Sequence, residues 1–140
     1  MRALVQRVTQ ASVAVGGNAV ASIGPGMLVL LGVRRGDTPD QADRLARKLA
    51  NLRIFDDDEG RMNRNLEQAQ GEILCVSQFT LYGDTRKGNR PSYVDAAPPD
   101  EAEPLYERVR QALQAQGGSF GAHMEVALVN DGPVTVLVET

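Results

Sequence analysis

Apolar residues recur at alternate positions from Ala3 to Val15, where Ala3, Val5, Thr9, Ala11, Val13 and Val15 share one mostly apolar face, and this period predicts a long strand. Arg7 falls on the same face. Its guanidinium either points inward, where carbonyls or carboxylates must match its donors, or is turned outward by a bulge. Gly16-Gly17-Asn18 suits a tight hairpin turn, Ala19 to Ile23 reads as the returning strand, and Gly24-Pro25-Gly26 turns the chain again. Met27 to Val33 is apolar on both faces, as a covered central strand requires. The three strands predict an antiparallel meander.

The period then changes. Thr38-Pro39-Asp40-Gln41 has the form of a capping box with proline in the first turn, and Ala42, Leu45, Ala46, Leu49 and Leu52 form a helical stripe predicted to pack on a sheet. Arg53-Ile54-Phe55 reads as a short strand, followed by a solvated turn at Asp56-Asp57-Asp58-Glu59-Gly60. A calcium loop is disfavoured there, because Arg61 stands where that loop needs glycine. Ile73 to Val76 reads as a buried strand, and Thr85 to Ala97 as a polar loop broken by Gly88 and Pro91. A second helix carries Leu105, Val109 and Leu113 and ends near Gly117-Gly118. Its start is ambiguous, since Pro99 fits a first turn whereas Pro104 would break the interior of so early a helix. Glu125 to Val129 and Val134 to Val138 are the last strands. The Asp131-Gly132 turn signal between them precedes Pro133, which cannot donate to a ladder, so no plain two-residue turn is expected.

At 140 residues the chain is long enough for one domain with a proper core and too short for two, so a single domain spanning residues 1–140 is expected. The longest apolar run, Met27 to Val33, is far below the roughly 18 residues of a membrane span. With Arg2, Gln6 and Arg7 where a signal peptide would be apolar, a cytoplasmic protein with no membrane partner is expected. A net charge of -3 argues against a non-specific nucleic-acid coat, and DNA is not an expected partner. A local patch at Arg86, Lys87 and Arg90 suits the end of a structured RNA, the alternative being a solvated loop. The single Cys75 reads as a packing residue and the single His123 as structural. No metal site or cofactor is expected, and neither a phosphate-binding loop nor a dinucleotide fingerprint is present.

Candidate chemistry concentrates where an apolar strand runs out into Ser77-Gln78-Phe79-Thr80, whose side chains and backbone N–H groups collect at a scaffold rim, or else merely satisfy a turn. No catalytic kit accompanies it. Thr80 is placed like a nucleophile but lacks a convincing base, so an enzyme here must use backbone donors, positioning and a group of its substrate. Together, Ser77-Gln78-Phe79-Thr80 and Asn130-Asp131-Gly132-Pro133-Val134-Thr135 closely resemble the two signature motifs of D-aminoacyl-tRNA deacylases. Leu4-Val5-Gln6-Arg7-Val8, Arg53-Ile54-Phe55, Arg90-Pro91-Ser92 and Phe120-Gly121 extend the likeness over nearly the whole chain.

The resemblance implies an α+β, mainly antiparallel, barrel-like subunit in a homodimer with its active sites at the subunit interface. It implies a cis Gly132-Pro133 bond whose carbonyls capture the substrate ammonium and exclude L side chains, with Arg7 fixing that segment and Asn130, Val134 and Thr135 supporting it. Backbone N–H groups from Gln78 to Thr80 would hold the oxyanion, and Ser77, Gln78 and Phe79 would line the terminal-adenosine site. The implied reaction is hydrolysis of D-aminoacyl-tRNA and mischarged glycyl-tRNA, assisted by the terminal 2′-hydroxyl. The alternative is a non-catalytic dimer that binds aminoacyl-tRNA or a free D-amino acid.

Overall fold

A computed structural model describes residues 1–140. Strand β1 (Arg2–Val15) turns at Gly16 and Gly17, with φ of 56° and 81°, into β2 (Asn18–Ile23), and β3 (Gly26–Gly32) follows. Helix α1 (Pro39–Ala50) starts as its sequence predicts. The Thr38 hydroxyl accepts from Gln41 N at 3.3 Å while Gln41 Oε1 accepts from Thr38 N at 2.8 Å. A small hairpin of β4 (Phe55–Asp56) and β5 (Met62–Arg64) leads to a one-turn helix, α2 (Leu66–Ala69). An Asn65–Gln68 capping box closes that turn, which is too short for periodicity to reveal. The chain thus has three α-helices where two were expected.

After β6 (Glu72–Ser77) come a 3-10 turn (Phe79–Tyr82), helix α3 (Pro99–Ala112), β7 (Gln116–Gly117) and β8 (Glu125–Glu139). Helix α3 does begin at Pro99 and carries Pro104 inside it. The carbonyl that Pro104 fails to bond belongs to Asp100, which is exposed and can be solvated. The helix also stops before the expected glycines. Gln114 takes the left-handed turn, with φ of 51°, and Gly117 instead permits a close approach, because a Cβ there would lie 2.6 Å from Arg110 Cδ.

β1 organises the sheet. Along one edge, Arg2 to Val8 pairs with β3 and Ala11 to Val15 with β2; along the other, β8 runs antiparallel from Arg2↔Glu139 to Ala14↔Glu125. The order β2-β1-β3-β6-β7 replaces the expected meander, since β3 pairs with β1 and not with β2, and β3–β6 and β6–β7 are parallel. The sheet curls into a nearly closed barrel. At the seam, Ser22 N donates to Gln116 Oε1 at 3.2 Å.

Strand period 2 explains the two-faced apolar runs. Met27, Val29, Leu31, Ile73 and Cys75 pack with Leu45 and Leu49 of α1 and with Leu105 and Val109 of α3, whereas Leu28, Leu74 and Val76 join Val13 and Ile23 in a second core. β1 contributes to both. Ala3 and Val5 lie in the first core and Val8, Ala11 and Val13 in the second, so the predicted single face is broken by pairing irregularities on either side of Val8, and Thr9 is exposed. No helix is long and apolar enough to cross a membrane.

Cys75 is fully buried, and burial pushes its thiol from 9.0 up to about 12. At pH 8, native protein is therefore expected to resist thiol reagents and to label stoichiometrically once urea unfolds it. Labelling of the folded state without unfolding would contradict this packing. The sign of the linkage follows. Below about pH 9 the thiol is protonated in both states; above it the unfolded chain ionises first, and this contribution to stability falls as pH rises towards 12.

Candidate active site

The sheet delivers Ser77 to its rim, where Ser77 pairs with Leu31 as the last residue of β6. The Gln78 N–H then donates to Leu31 O at 2.7 Å, so it is engaged by the scaffold and not available as a substrate donor. The chain tightens into the 3-10 turn, with Leu81 N bonded to Gln78 O and Gly83 N to Thr80 O. The N–H groups of Phe79 and Thr80, first in that turn, are left unused by its own bonds. Of the three amides expected as oxyanion donors, these two remain.

The turn opens on a cleft of about 600 Å³ lined by Ser77, Gln78, Phe79, Tyr93, Phe120 and His123 among others. That volume lies in the range of small-molecule sites. Phe79 and Tyr93 are exposed and meet edge to face, their ring centres 5.1 Å apart. Gln78 Nε2 donates to the Thr80 hydroxyl. An amide cannot take a proton from that hydroxyl, so the arrangement orients Thr80 without activating it. Beneath the turn, Arg2 lies 4.7 Å over the Tyr82 ring and donates to Leu81 O at 3.0 Å. Desolvation by burial pushes the Tyr82 phenol up to about 12, which keeps it neutral in this brace.

The second motif stands elsewhere on the chain. Opposite the single residue Arg7, β8 loops out Asp131 to Val134 between the pairs Gln6↔Thr135 and Val8↔Asn130. The segment is therefore an excursion within one continuous strand and not a hairpin. The Gly132-Pro133 peptide is cis, with Gly132 at φ of 127°. Asn130 spans the excursion, its Oδ1 accepting from Val134 N at 3.1 Å and its Nδ2 donating to Thr135 Oγ1 at 2.9 Å.

Arg7 resolves inward. It is 8% exposed and donates to Asp131 O at 3.1 Å, to Ile54 O at 2.8 Å and to Asp56 Oδ1 at 3.2 Å. Its ion pairs with Asp56 and Asp131 balance the buried charge. The irregularity anticipated near Arg7 is real, but it lies in the partner strand. None of the residues lining the cleft comes from Asn130 to Thr135, so one chain does not bring its two motifs together.

The family described as D-Tyr-tRNA(Tyr) deacylase matches residues 4–139. The chain belongs to this family. A relative from Symbiobacterium thermophilum named D-aminoacyl-tRNA deacylase is 56% identical, with the match covering 100% of this chain and 96% of the relative. One of the same name from Roseiflexus castenholzii is 59% identical, covering 100% and 92%. The solved structure of a protein titled c-Myc DNA Unwinding Element Binding Protein is 43% identical and superposes with a TM-score of 0.95, covering 100% of this chain and 99% of that one. A probable eukaryotic D-amino acid tRNA deacylase shares the fold at 19% identity and a TM-score of 0.85, covering 99% and 98%.

Within this deacylase-family chain, the sequence did not single out Tyr93 or Arg35 as cleft residues. The signal for Tyr93 was position alone, since it lies within the polar loop that follows the first motif. His123, read as structural, is exposed on the cleft wall. No three side chains among His, Cys, Asp and Glu converge on a point where a metal could bind. The acidic turn after β4 is instead organised by Asp57, whose Oδ1 accepts from Glu59 N at 2.9 Å and Arg61 N at 3.0 Å. These bonds hold its carboxyl below the usual carboxylate range.

Proposed function

We propose that this chain is an ester hydrolase that removes the amino acid from D-aminoacyl-tRNA, and from mischarged glycyl-tRNA, in the cytoplasm. Family membership supports the reaction, and the free Phe79 amide in an aromatic-lined cleft, with the Thr80 amide one residue beyond the lining, supports the site. The terminal adenosine lies along Ser77, Gln78 and Phe79. The ester carbonyl faces the two amides, which stabilise the oxyanion as it forms. Attack is assisted by the 2′-hydroxyl of the terminal ribose, which supplies the group that Thr80 and its amide neighbour lack.

The working unit in this reading is a homodimer. The Gly132-Pro133 segment of one subunit enters the cleft of its partner, where its carbonyls receive the substrate ammonium and leave no room for an L side chain. Its separation from its own cleft and the exposure of Val129 and Leu137 on β8, at 46% and 52%, both suit that assembly. Arg7, Asn130, Val134 and Thr135 hold the segment in shape.

The deciding experiment is multiple-turnover release of amino acid from D-tyrosyl-tRNA and L-tyrosyl-tRNA at catalytic protein concentrations. Release from the D ester alone is expected. Release from both would remove the exclusion role of Gly132-Pro133, and tight binding without release would make the protein a sensor. Thr80→Ala is expected to retain activity within about tenfold, whereas a substrate ending in 2′-deoxyadenosine is expected to lose about a hundredfold or more. The reverse pattern would assign the attack to Thr80.

A further inference from the structure

The cleft lining combines aromatic faces with one cation, Arg35, and the loop that leads into Tyr93 carries two more, Lys87 and Arg90. Arg35 lines the cleft beside the Phe79–Tyr93 pair, its Nε donating to Val94 O at 2.8 Å. The loop from Asp84 to Ser92 leads directly into Tyr93. Reciprocal backbone bonds of 2.8 and 2.9 Å between Asp84 and Ser92 tie its two ends next to Tyr93, so its base is anchored at the cleft.

The loop sorts its own charges. The Asp84 carboxylate accepts from Arg86 N at 3.0 Å and from the Arg86 guanidinium at 2.9 and 2.7 Å. Those bonds hold the Asp84 carboxyl down to about 2, so the pair stays ionised at neutral pH and Arg86 is largely neutralised. Asp95 is the other carboxylate whose field reaches Arg86. Lys87 and Arg90 are exposed and enter no ion pair, their neighbour Arg86 being the loop residue that does. On a chain of net charge -3, two unpaired cations on a loop anchored beside Tyr93 concentrate positive charge next to an aromatic-lined cleft.

We propose that the Asp84–Ser92 loop is the grip on the acceptor end of the tRNA, with Lys87 and Arg90 each neutralising a backbone phosphate next to the terminal adenosine. This inference rests on reading the cleft as an aminoacyl-tRNA ester site. Arg86 acts as an internal strut, bonded to Asp84 and shaping the loop, and is not itself a phosphate ligand. Each phosphate contact contributes about 0.7–0.9 to the slope of log affinity against log salt, so removing both cations lowers that slope by about 1.4–1.8.

The test compares wild type with the double variant Lys87→Ala/Arg90→Ala on D-tyrosyl-tRNA and on D-tyrosyl-adenosine, across a salt series. For the tRNA ester the variant is expected to lose at least about tenfold in kcat/KM near 0.1 M salt, through KM, with the salt slope reduced as above. For the adenosine ester, which carries no phosphate, the difference is expected to vanish. A control variant, Arg47→Ala/Lys48→Ala on the exposed face of α1, removes the same charge far in sequence from the loop and should leave the slope unchanged.

An unchanged slope in the loop variant, or an equal loss from the control, would overturn the proposal while leaving the deacylase reading intact. If wild type hydrolyses neither ester, that reading fails. Fluorescence anisotropy with an uncharged acceptor-stem hairpin ending in CCA then decides the loop independently. Weaker binding by the loop variant alone supports the grip, and equal binding by all three proteins refutes it.

Discussion

Arg7→Met is expected to lower D-tyrosyl-tRNA hydrolysis by about a hundredfold or more while lowering stability by only about 2–3 kcal/mol. The two effects separate because the partners of Arg7 differ in exposure. Asp56 and Asp131 have side chains that are 51% and 50% exposed, so both carboxylates can rehydrate when the guanidinium is removed. The bond to Ile54 O is buried, and an unsatisfied buried acceptor costs about 1–3 kcal/mol. Methionine fills much of the vacated volume.

Catalysis has less tolerance. Arg7 is the link between Asp131 O and the body of the protein, and a Cβ on Gly132 would lie only 3.2 Å from an Arg7 guanidinium nitrogen, which shows how closely the side chain supports that segment. A displacement of about 1 Å in a positioning group is enough for a hundredfold loss. Arg7→Lys is expected to fall between, because one ammonium cannot reach acceptors on both Ile54 and Asp131 in the geometry of a planar fork. Urea denaturation and single-turnover hydrolysis measure the two quantities side by side. Retention of wild-type turnover in Arg7→Met would mean that the Asn130 network holds the segment unaided.

The larger effect on folding is expected from Gly26→Ala. A Cβ at Gly26 would lie 1.9 Å from Glu72 O and 2.6 Å from Glu72 N, both backbone atoms in the first rung of the parallel β3–β6 ladder. Neither atom can swing aside as a side-chain tip does. Relief requires that the strands separate or shift register, and a one-residue shift would exchange the faces carrying Leu28 and Val29 between the two cores. A loss above about 4 kcal/mol is expected, enough to leave a domain of ordinary stability mostly unfolded. Gly24→Ala is the control. Its Cβ would sit 3.6 Å from Glu72 Oε1, an ordinary contact with a flexible carboxylate, and should shift the urea midpoint little. Comparable midpoints for the two variants would show that the ladder start yields more readily than the rigid geometry implies.

Local signals were legible where one residue dictates a neighbour's conformation. Thr38, Pro39 and Gln41 set the start of α1, and the alternation in Met27 to Val33 and Ile73 to Val76 marked strands covered on both sides. Strand order was not legible, because nothing within Gly26–Gly32 states that its partner is β1 and not the adjacent β2. The end of α3 was misplaced for a related reason. Glycine is the ordinary left-handed residue, but Gln114 takes that role and Gly117 serves packing against α3.

At the site, the mismatch of Arg7 with its apolar neighbours was visible from residue type. Its acceptors were not, since Ile54 and Asp131 lie far along the chain and meet only when β8 aligns with β1. The resemblance named Gln78 to Thr80 as a unit, yet only the folded backbone shows that Leu31 O takes the first of those three amides.

The absence of Gly132-Pro133 from the lining of its own cleft also has a genetic meaning. In the proposed dimer, a subunit damaged at this segment keeps a sound cleft and spoils its neighbour's, while a subunit whose Phe79–Tyr82 turn is disrupted does the reverse. Two such defective alleles, each silent alone, would complement when expressed together. Every mixed dimer would contain one cleft built from the intact half of each chain.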